Sequence, residues 1–250
     1  MPKNRLNPRR GIYLLPNLFT TAALFSGFYA IVAAMNNRYE AAAIAIFCAM
    51  ILDGMDGRVA RITNTQTDFG AEYDSLSDMI SFGLAPGLVV YQWALIELGR
   101  VGWVVAFVYT VTAALRLARF NTQVETADKN YFQGLPSPSA AGLVVGLVWI
   151  GAEYQLEVTR SLSIIAMFIT LLAGVLMISN VRYNSFKHID FKGKVPFVHI
   201  IGVVLVFVLV ALEPPLVLFA IFAAYTVSGL VLTVLQMKKH RSRHSSSDQI

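Results

Sequence analysis

The run AAAIAIFCAMIL (residues 41–52), followed by DGMDGRVARITNTQTDFGAEYDSLSD (residues 53–78), decides the fold of this chain. Twelve uncharged residues end at Asp53 and Asp56, and Asp74 and Asp78 stand where the next apolar stretch begins. At 1.5 Å per residue the twelve cover about 18 Å, well short of the roughly 30 Å hydrocarbon core of a bilayer. A helix that starts there must therefore continue through Asp53 and Asp56, which places both carboxylates at a membrane boundary. Charge at that depth is costly and marks a functional site by default.

The remaining sequence has the same character. Of 250 residues 56% are hydrophobic and 14% charged, with a mean hydropathy of +0.60. A soluble domain would be roughly a quarter charged. Apolar stretches long enough to span are read at 16–35, 39–57, 76–98, 102–120, 138–154, 161–181, 196–212 and 215–236. The fold class is all-α, a polytopic membrane helix bundle of about eight transmembrane helices. The first stretch follows Lys3, Arg5, Arg9 and Arg10 and is too long for the apolar core of a cleaved leader, so it reads as a retained helix. The single cysteine, Cys48, excludes an intramolecular disulfide and reads as a small core residue.

Basic residues orient the bundle. Of the 20 Lys and Arg residues, 17 fall in the N-terminal segment, the tail and the loops that share their side, and three (Arg38, Arg100 and Arg160) fall opposite. The positive-inside rule predicts cytoplasmic termini and a cytoplasmic aspartate cluster, in the cell (inner) membrane. The net charge of +5 follows from this face and predicts contact with anionic membrane lipid, not nucleic acid. Glu213-Pro214-Pro215 reads as a tight outer turn, and Gly142 and Gly146, four apart, as a close-packing helix face.

The aspartates are spaced for one purpose. Asp53 and Asp56 are three residues apart and Asp74 and Asp78 four, so each pair shares a helix face. Two converging helices then gather four carboxylates, which need cations to coexist. An all-oxygen ligand set selects Mg2+ or Mn2+, with Ca2+ also open, over zinc. Gly57 and Gly70 allow a ligand close to the backbone, and Arg61 offers a fork for phosphate. Asp68 reads as the cap of the following helix. A buried ion-pair network needs no such four aspartates.

The pattern D-x-x-D-G-x-x-A-R-x8-G-x-x-x-D-x-x-x-D, from Asp53 to Asp78, resembles the signature of the CDP-alcohol phosphatidyltransferases at every fixed position. The resemblance implies that Asp53, Asp56, Asp74 and Asp78 hold metal and that Asp78 also takes the acceptor's hydroxyl proton. It further implies that Asn17, Thr20, Gly57, Ala60, Arg61, Thr67 and Gly70 contact the CDP-linked lipid. Residues 1–182 would form the catalytic membrane domain, 183–237 an additional helix pair, and 238–250 a basic tail without structure.

Three further stretches, RLARFN (116–121), GLPSPSAA (134–141) and SNVRYNSFK (179–187), resemble the serine-using branch of that family. They imply formation of phosphatidylserine and CMP from CDP-diacylglycerol and L-serine. Arg116, Arg119 or Arg182 would bind the serine carboxylate, and Ser137 or Ser139 would orient it. The family resemblance also implies a homodimer. Two rivals stay open: the same chemistry with glycerol-3-phosphate or inositol phosphate, and a divalent-cation transporter. A transport site tends toward the bilayer midplane, whereas this cluster lies at one edge.

Overall fold

A computed structural model of the chain describes residues 14–63, 65–123, 131–184 and 197–247. In hydrocarbon the backbone has no water to bond, so the apolar stretches close their own hydrogen bonds as helices. Helices α1 (Leu14–Met35) and α2 (Tyr39–Thr63) form a hairpin around Asn37, whose φ of 58° is left-handed, a conformation that Asn tolerates. They lie together on small side chains: Ala23, Ala30, Ala33 and Ala34 meet Ala42, Ala43 and Ala49. The bulky Leu18, Phe25 and Phe28 face outward. Packing on small residues is how helices approach where lipid is as apolar as leucine. Cys48 lies on the outward face of α2 and is exposed, which corrects its reading as a core residue.

The expected span 76–98 proves to be composite. Helix α3 (Asp68–Asp78) passes through a π-helical stretch (Met79–Leu84) into α4 (Ala85–Trp93), and a short 3-10 turn (Leu95–Leu98) follows. Pro86 has no N–H, and its ring would clash with the carbonyl four residues back, that of Phe82. The backbone widens instead, and the Ala85 N–H reaches the Ile80 carbonyl. The freed Phe82 carbonyl accepts from the Tyr109 hydroxyl at 3.0 Å, and that of Gly83 accepts from Thr110 at 3.4 Å. Both hydroxyls come from the next helix, α5 (Arg100–Gln123).

After α5 come β1 (Tyr131–Gln133), α6 (Ser137–Glu153), α7 (Arg160–Ile178), β2 (Arg182–Asn184), α8 (Phe197–Leu212) and α9 (Pro214–Ser247). The strands form one antiparallel ribbon in which Phe132 pairs with Tyr183. Helix α7 thus ends at Ile178, not at 181, because Ser179 turns into extended backbone (ψ 165°) leading to β2. Among the described residues, α1, α5, α7 and the first twenty residues of α9 are long and apolar enough to cross a membrane, with α6 and part of α8 as shorter apolar helices. The fold is a membrane helix bundle, all-α but for the ribbon.

Helix α9 seats on the glycine face of α6. A Cβ on Gly142 would lie 2.6 Å from the Phe222 ring, and one on Gly146 would lie 3.2 Å from Phe219. Glu213 bridges α8 and α9 at the expected turn and accepts from the Tyr154 hydroxyl at 3.0 Å, which ties the turn to the end of α6. The backbone of α9 stays helical through Ser247, so the tail expected to lack structure continues the last helix; residues 248–250 lie outside the described residues.

Candidate active site

Three helices build the site. Asp53 and Asp56 sit one turn apart near the end of α2, and Asp74 and Asp78 one turn apart in α3. The carboxylates of Asp53, Asp56 and Asp74 lie within 4.8 Å of one another. Asp78 is one turn deeper along α3 and joins the group through Asp53, within hydrogen-bonding reach. Helix α1 supplies the link: the Thr20 hydroxyl donates to Asp56 Oδ2 at 2.7 Å, and the Thr20 carbonyl accepts from Ser77 at 3.1 Å. One turn on, the Ala23 carbonyl accepts from Ser81 at 3.1 Å, and Gly27 leaves no room for a Cβ beside Ser81. The register of α1 against α3 is thereby set at the level of the aspartates.

These residues suit a divalent cation. The ligand atoms are all carboxylate oxygens, and Asp74 Oδ1 is buried with no partner among the described residues. A buried acceptor left unpaired is costly, and a hard cation satisfies it.

Beside the carboxylates opens a cleft of about 390 Å³. All seven residues expected at the CDP-linked lipid line it: Asn17 and Thr20 from α1, Gly57, Ala60 and Arg61 from α2, and Thr67 and Gly70 at the start of α3. Thr67 is the N-cap of α3, accepting from Gly70 N–H at 3.0 Å. That corrects the assignment of the cap to Asp68, which is the first helical residue and lines the cleft instead. A Cβ on Gly70 would stand 3.1 Å from Thr67 Oγ1 and 3.6 Å from Asn17 Oδ1 and would narrow the entrance. The Arg61 guanidinium reaches to 4.0 Å from where a Cβ on Gly57 would stand. Thr65 and Gln66 also line the cleft. No spacing rule singles them out, because they belong to the loop between helices.

The five residues expected at the acceptor separate. Arg116 is buried, donates from Nη1 to Ser137 Oγ at 2.9 Å, and lies near enough to Asp78 for its charge to act there. Its Nε has no partner among the described residues. Arg119, one turn along α5, is engaged elsewhere: its terminal nitrogens donate to the carbonyls of Gln133 (2.9 Å), Ile178 (3.2 Å) and Ser179 (3.4 Å). It clamps the end of α7 to the ribbon. Arg182 is exposed in β2 and Ser139 is half-buried on α6. Ser139 stands two residues from Ser137, off the face that meets Arg116. Asn121 exchanges hydrogen bonds with Ser75 (Nδ2 to Oγ 3.0 Å) and ties α5 to α3 between Asp74 and Asp78. Sequence reading assigned Asn121 no role, since a lone amide carries no spacing signal.

Comparison with known proteins agrees with this architecture. The family model for CDP-alcohol phosphatidyltransferase matches residues 13–178. A Helicobacter pylori protein named CDP-diacylglycerol–serine O-phosphatidyltransferase is 39% identical over 232 residues, 93% of this chain and 96% of the relative. A Mycobacterium tuberculosis protein of that name is 39% identical over 153 residues, 58% of this chain and 53% of the relative. An archaetidylserine synthase from Methanothermobacter thermautotrophicus is 34% identical over 171 residues, covering 68% of this chain and 69% of the relative. A match over that extent, on a chain whose four signature aspartates converge in space, establishes that it belongs to the CDP-alcohol phosphatidyltransferase family.

Proposed function

We propose that this chain is a CDP-diacylglycerol–serine O-phosphatidyltransferase, which forms phosphatidylserine and CMP from CDP-diacylglycerol and L-serine. One observation carries the choice of acceptor. Arg116 is buried, its Nε–H has no partner among the described residues, and it lies near enough to Asp78 for its charge to act on that carboxylate. A guanidinium there holds the carboxylate of an amino-acid alcohol while the neighbouring base meets its hydroxyl. The long relatives named for serine transfer support the same reading.

The cleft residues hold the nucleotide end of the lipid. Arg61 forks onto a phosphate, Thr67 and Gly70 leave the start of α3 open, and Asn17 borders the other wall. Thr20 fixes the rotamer of Asp56. Asp53, Asp56 and Asp74, with Asp78 adjoining, would hold Mg2+ or Mn2+, which when bound would supply charge neutralisation for the pyrophosphate and the leaving CMP; Ca2+ meets the same ligand chemistry. Asp78 takes the serine hydroxyl proton. The serine oxygen forms a bond to the phosphorus bearing the diacylglycerol, and the bond from that phosphorus to the CMP oxygen breaks. Catalysis then rests on positioning and charge neutralisation.

Release of CMP by the purified protein, supplied with CDP-diacylglycerol and each alcohol in turn, tests the assignment. Serine is expected to give turnover, and glycerol-3-phosphate and inositol phosphate are not. Preference for a phosphorylated alcohol would overturn the serine reading and leave the transferase chemistry intact. CDP-diacylglycerol-independent cation flux would favour a transporter.

The site, both termini and the bound anionic lipid lie on the cytoplasmic side of the cell membrane in this proposal, and the protein acts as a homodimer by family likeness. The split of basic residues supports the orientation. In a Cys48→Ser background, cysteines placed at Asn36 and Glu157 are expected to react with an impermeant thiol reagent added outside the cell. One at Gln66, in the cleft, is expected to react only after the membrane is opened. The reverse pattern would place the cleft on the wrong side for CDP-linked lipids.

A further inference from the structure

Segments far apart in the chain close on one short link, residues 133–137, which leads from β1 into α6. Helix α5 grips both of its ends. At the near end Arg119 donates to the Gln133 carbonyl at 2.9 Å, and the same guanidinium reaches the carbonyls of Ile178 at 3.2 Å and Ser179 at 3.4 Å. At the far end Arg116, three residues earlier on α5, donates to Ser137 Oγ at 2.9 Å. The backbone between them is fixed against the end of α7 and the residues after it. Gly134 N–H donates to the Val181 carbonyl and Leu135 N–H to the Leu176 carbonyl, both at 2.9 Å. Gly134 has a φ of 77°, and a Cβ there would run into the Met177 carbonyl oxygen, so only glycine allows this approach. Leu135 and Ser137 are fully buried.

Ser137 is the first residue of α6, so the course of the link decides where its hydroxyl sits. That hydroxyl in turn accepts from the buried Arg116. We propose that Arg119 is a positioning residue for the acceptor. Together with Gly134 it holds the link against α7, the link places Ser137, and Ser137 holds the Arg116 guanidinium where it meets the carboxylate of the amino-acid alcohol. Arg119 itself does not touch the acceptor, because its terminal nitrogens are engaged by three carbonyls. A planar guanidinium offers donors in a fixed fork that serves several carbonyls at once, and a lysine ammonium on its flexible stem does not reproduce that fork. The inference rests on serine as acceptor with Arg116 at its carboxylate, and adds what sets that arginine in place.

In steady-state kinetics of the full chain, Arg119→Lys should raise the serine KM about tenfold, the loss expected when one charge-assisted hydrogen bond fails. Turnover at saturating serine and the KM for CDP-diacylglycerol should stay within about twofold, which a general loss of fold would not spare. Ser137→Ala removes the next element of the chain of contacts and should raise the serine KM by a similar factor. The double variant separates action through Ser137 from direct contact with serine. Its serine KM should stay within about twofold of the higher single variant, whereas independent contacts would multiply to about a hundredfold. Arg119→Gln, which keeps an amide donor for one carbonyl, is read in the same way if Arg119→Lys does not fold. An unchanged serine KM in the Arg119 variant, a multiplied loss in the double variant, or an equal loss in turnover overturns the proposal. A wild type that refuses serine overturns the acceptor reading and this inference with it.

Discussion

Asp78→Asn is expected to lower turnover at least about a hundredfold, the low end for removal of a general base. The amide keeps the shape of the carboxylate but cannot take the hydroxyl proton. Asp78 stands one turn deeper than Asp74 and outside the group of three carboxylates that lie within 4.8 Å of one another. Its loss should therefore weaken CDP-diacylglycerol binding less than Asp56→Asn does. Asp56 belongs to that group, receives the Thr20 hydrogen bond and lines the cleft. Comparing kcat with the KM for the lipid in both variants separates the roles. Near-normal turnover in Asp78→Asn would assign the proton to another group.

Chelation is expected to abolish activity altogether, with Mg2+ or Mn2+ restoring it and Zn2+ not. Two carboxylates at 4.8 Å repel by about 3.5 kcal/mol at an effective dielectric of about 20, and three such pairs meet here. The hydroxyl of Thr20 reaches one of them but carries no charge. Pyrophosphate would add further negative charge, which a cation held by these carboxylates would offset. Full turnover in excess EDTA after metal stripping would remove the metal from the reaction. Isothermal titration of the stripped protein with Mn2+ gives a second readout, and Asp74→Asn should weaken that binding without any substrate present.

Helix spacing made the aspartate group legible in advance. Residues three and four apart share a face whatever surrounds them, so Asp53 with Asp56 and Asp74 with Asp78 could be paired from the sequence. A hydrocarbon thickness and a count of twelve apolar residues then placed them at a membrane edge. The family resemblance named seven further residues, five of them within the Asp53–Asp78 stretch and Asn17 and Thr20 on the first helix, and all seven line one cavity.

The faces of the helices were not legible. In water an apolar stripe marks the core, but in lipid both faces are apolar and the pattern carries no direction. Cys48 was misplaced for that reason, and Phe25 and Phe28 face outward while alanines fill the interface. The acceptor residues show the same limit in polar form. Arg116 and Arg119 lie on one helix, three residues apart, with the same chemistry. Ser137 engages Nη1 of the first and leaves its Nε–H with no partner among the described residues, while the ends of α7 and β1 occupy the other. The sequence by itself determined a membrane helix bundle and the pairing of four aspartates on two helix faces, because helix periodicity and apolar length act locally along the chain. Only the tertiary structure decided which arginine bonds to Ser137 and keeps a buried N–H with no partner among the described residues, because those contacts join segments far apart in sequence through side chains with no periodic signal.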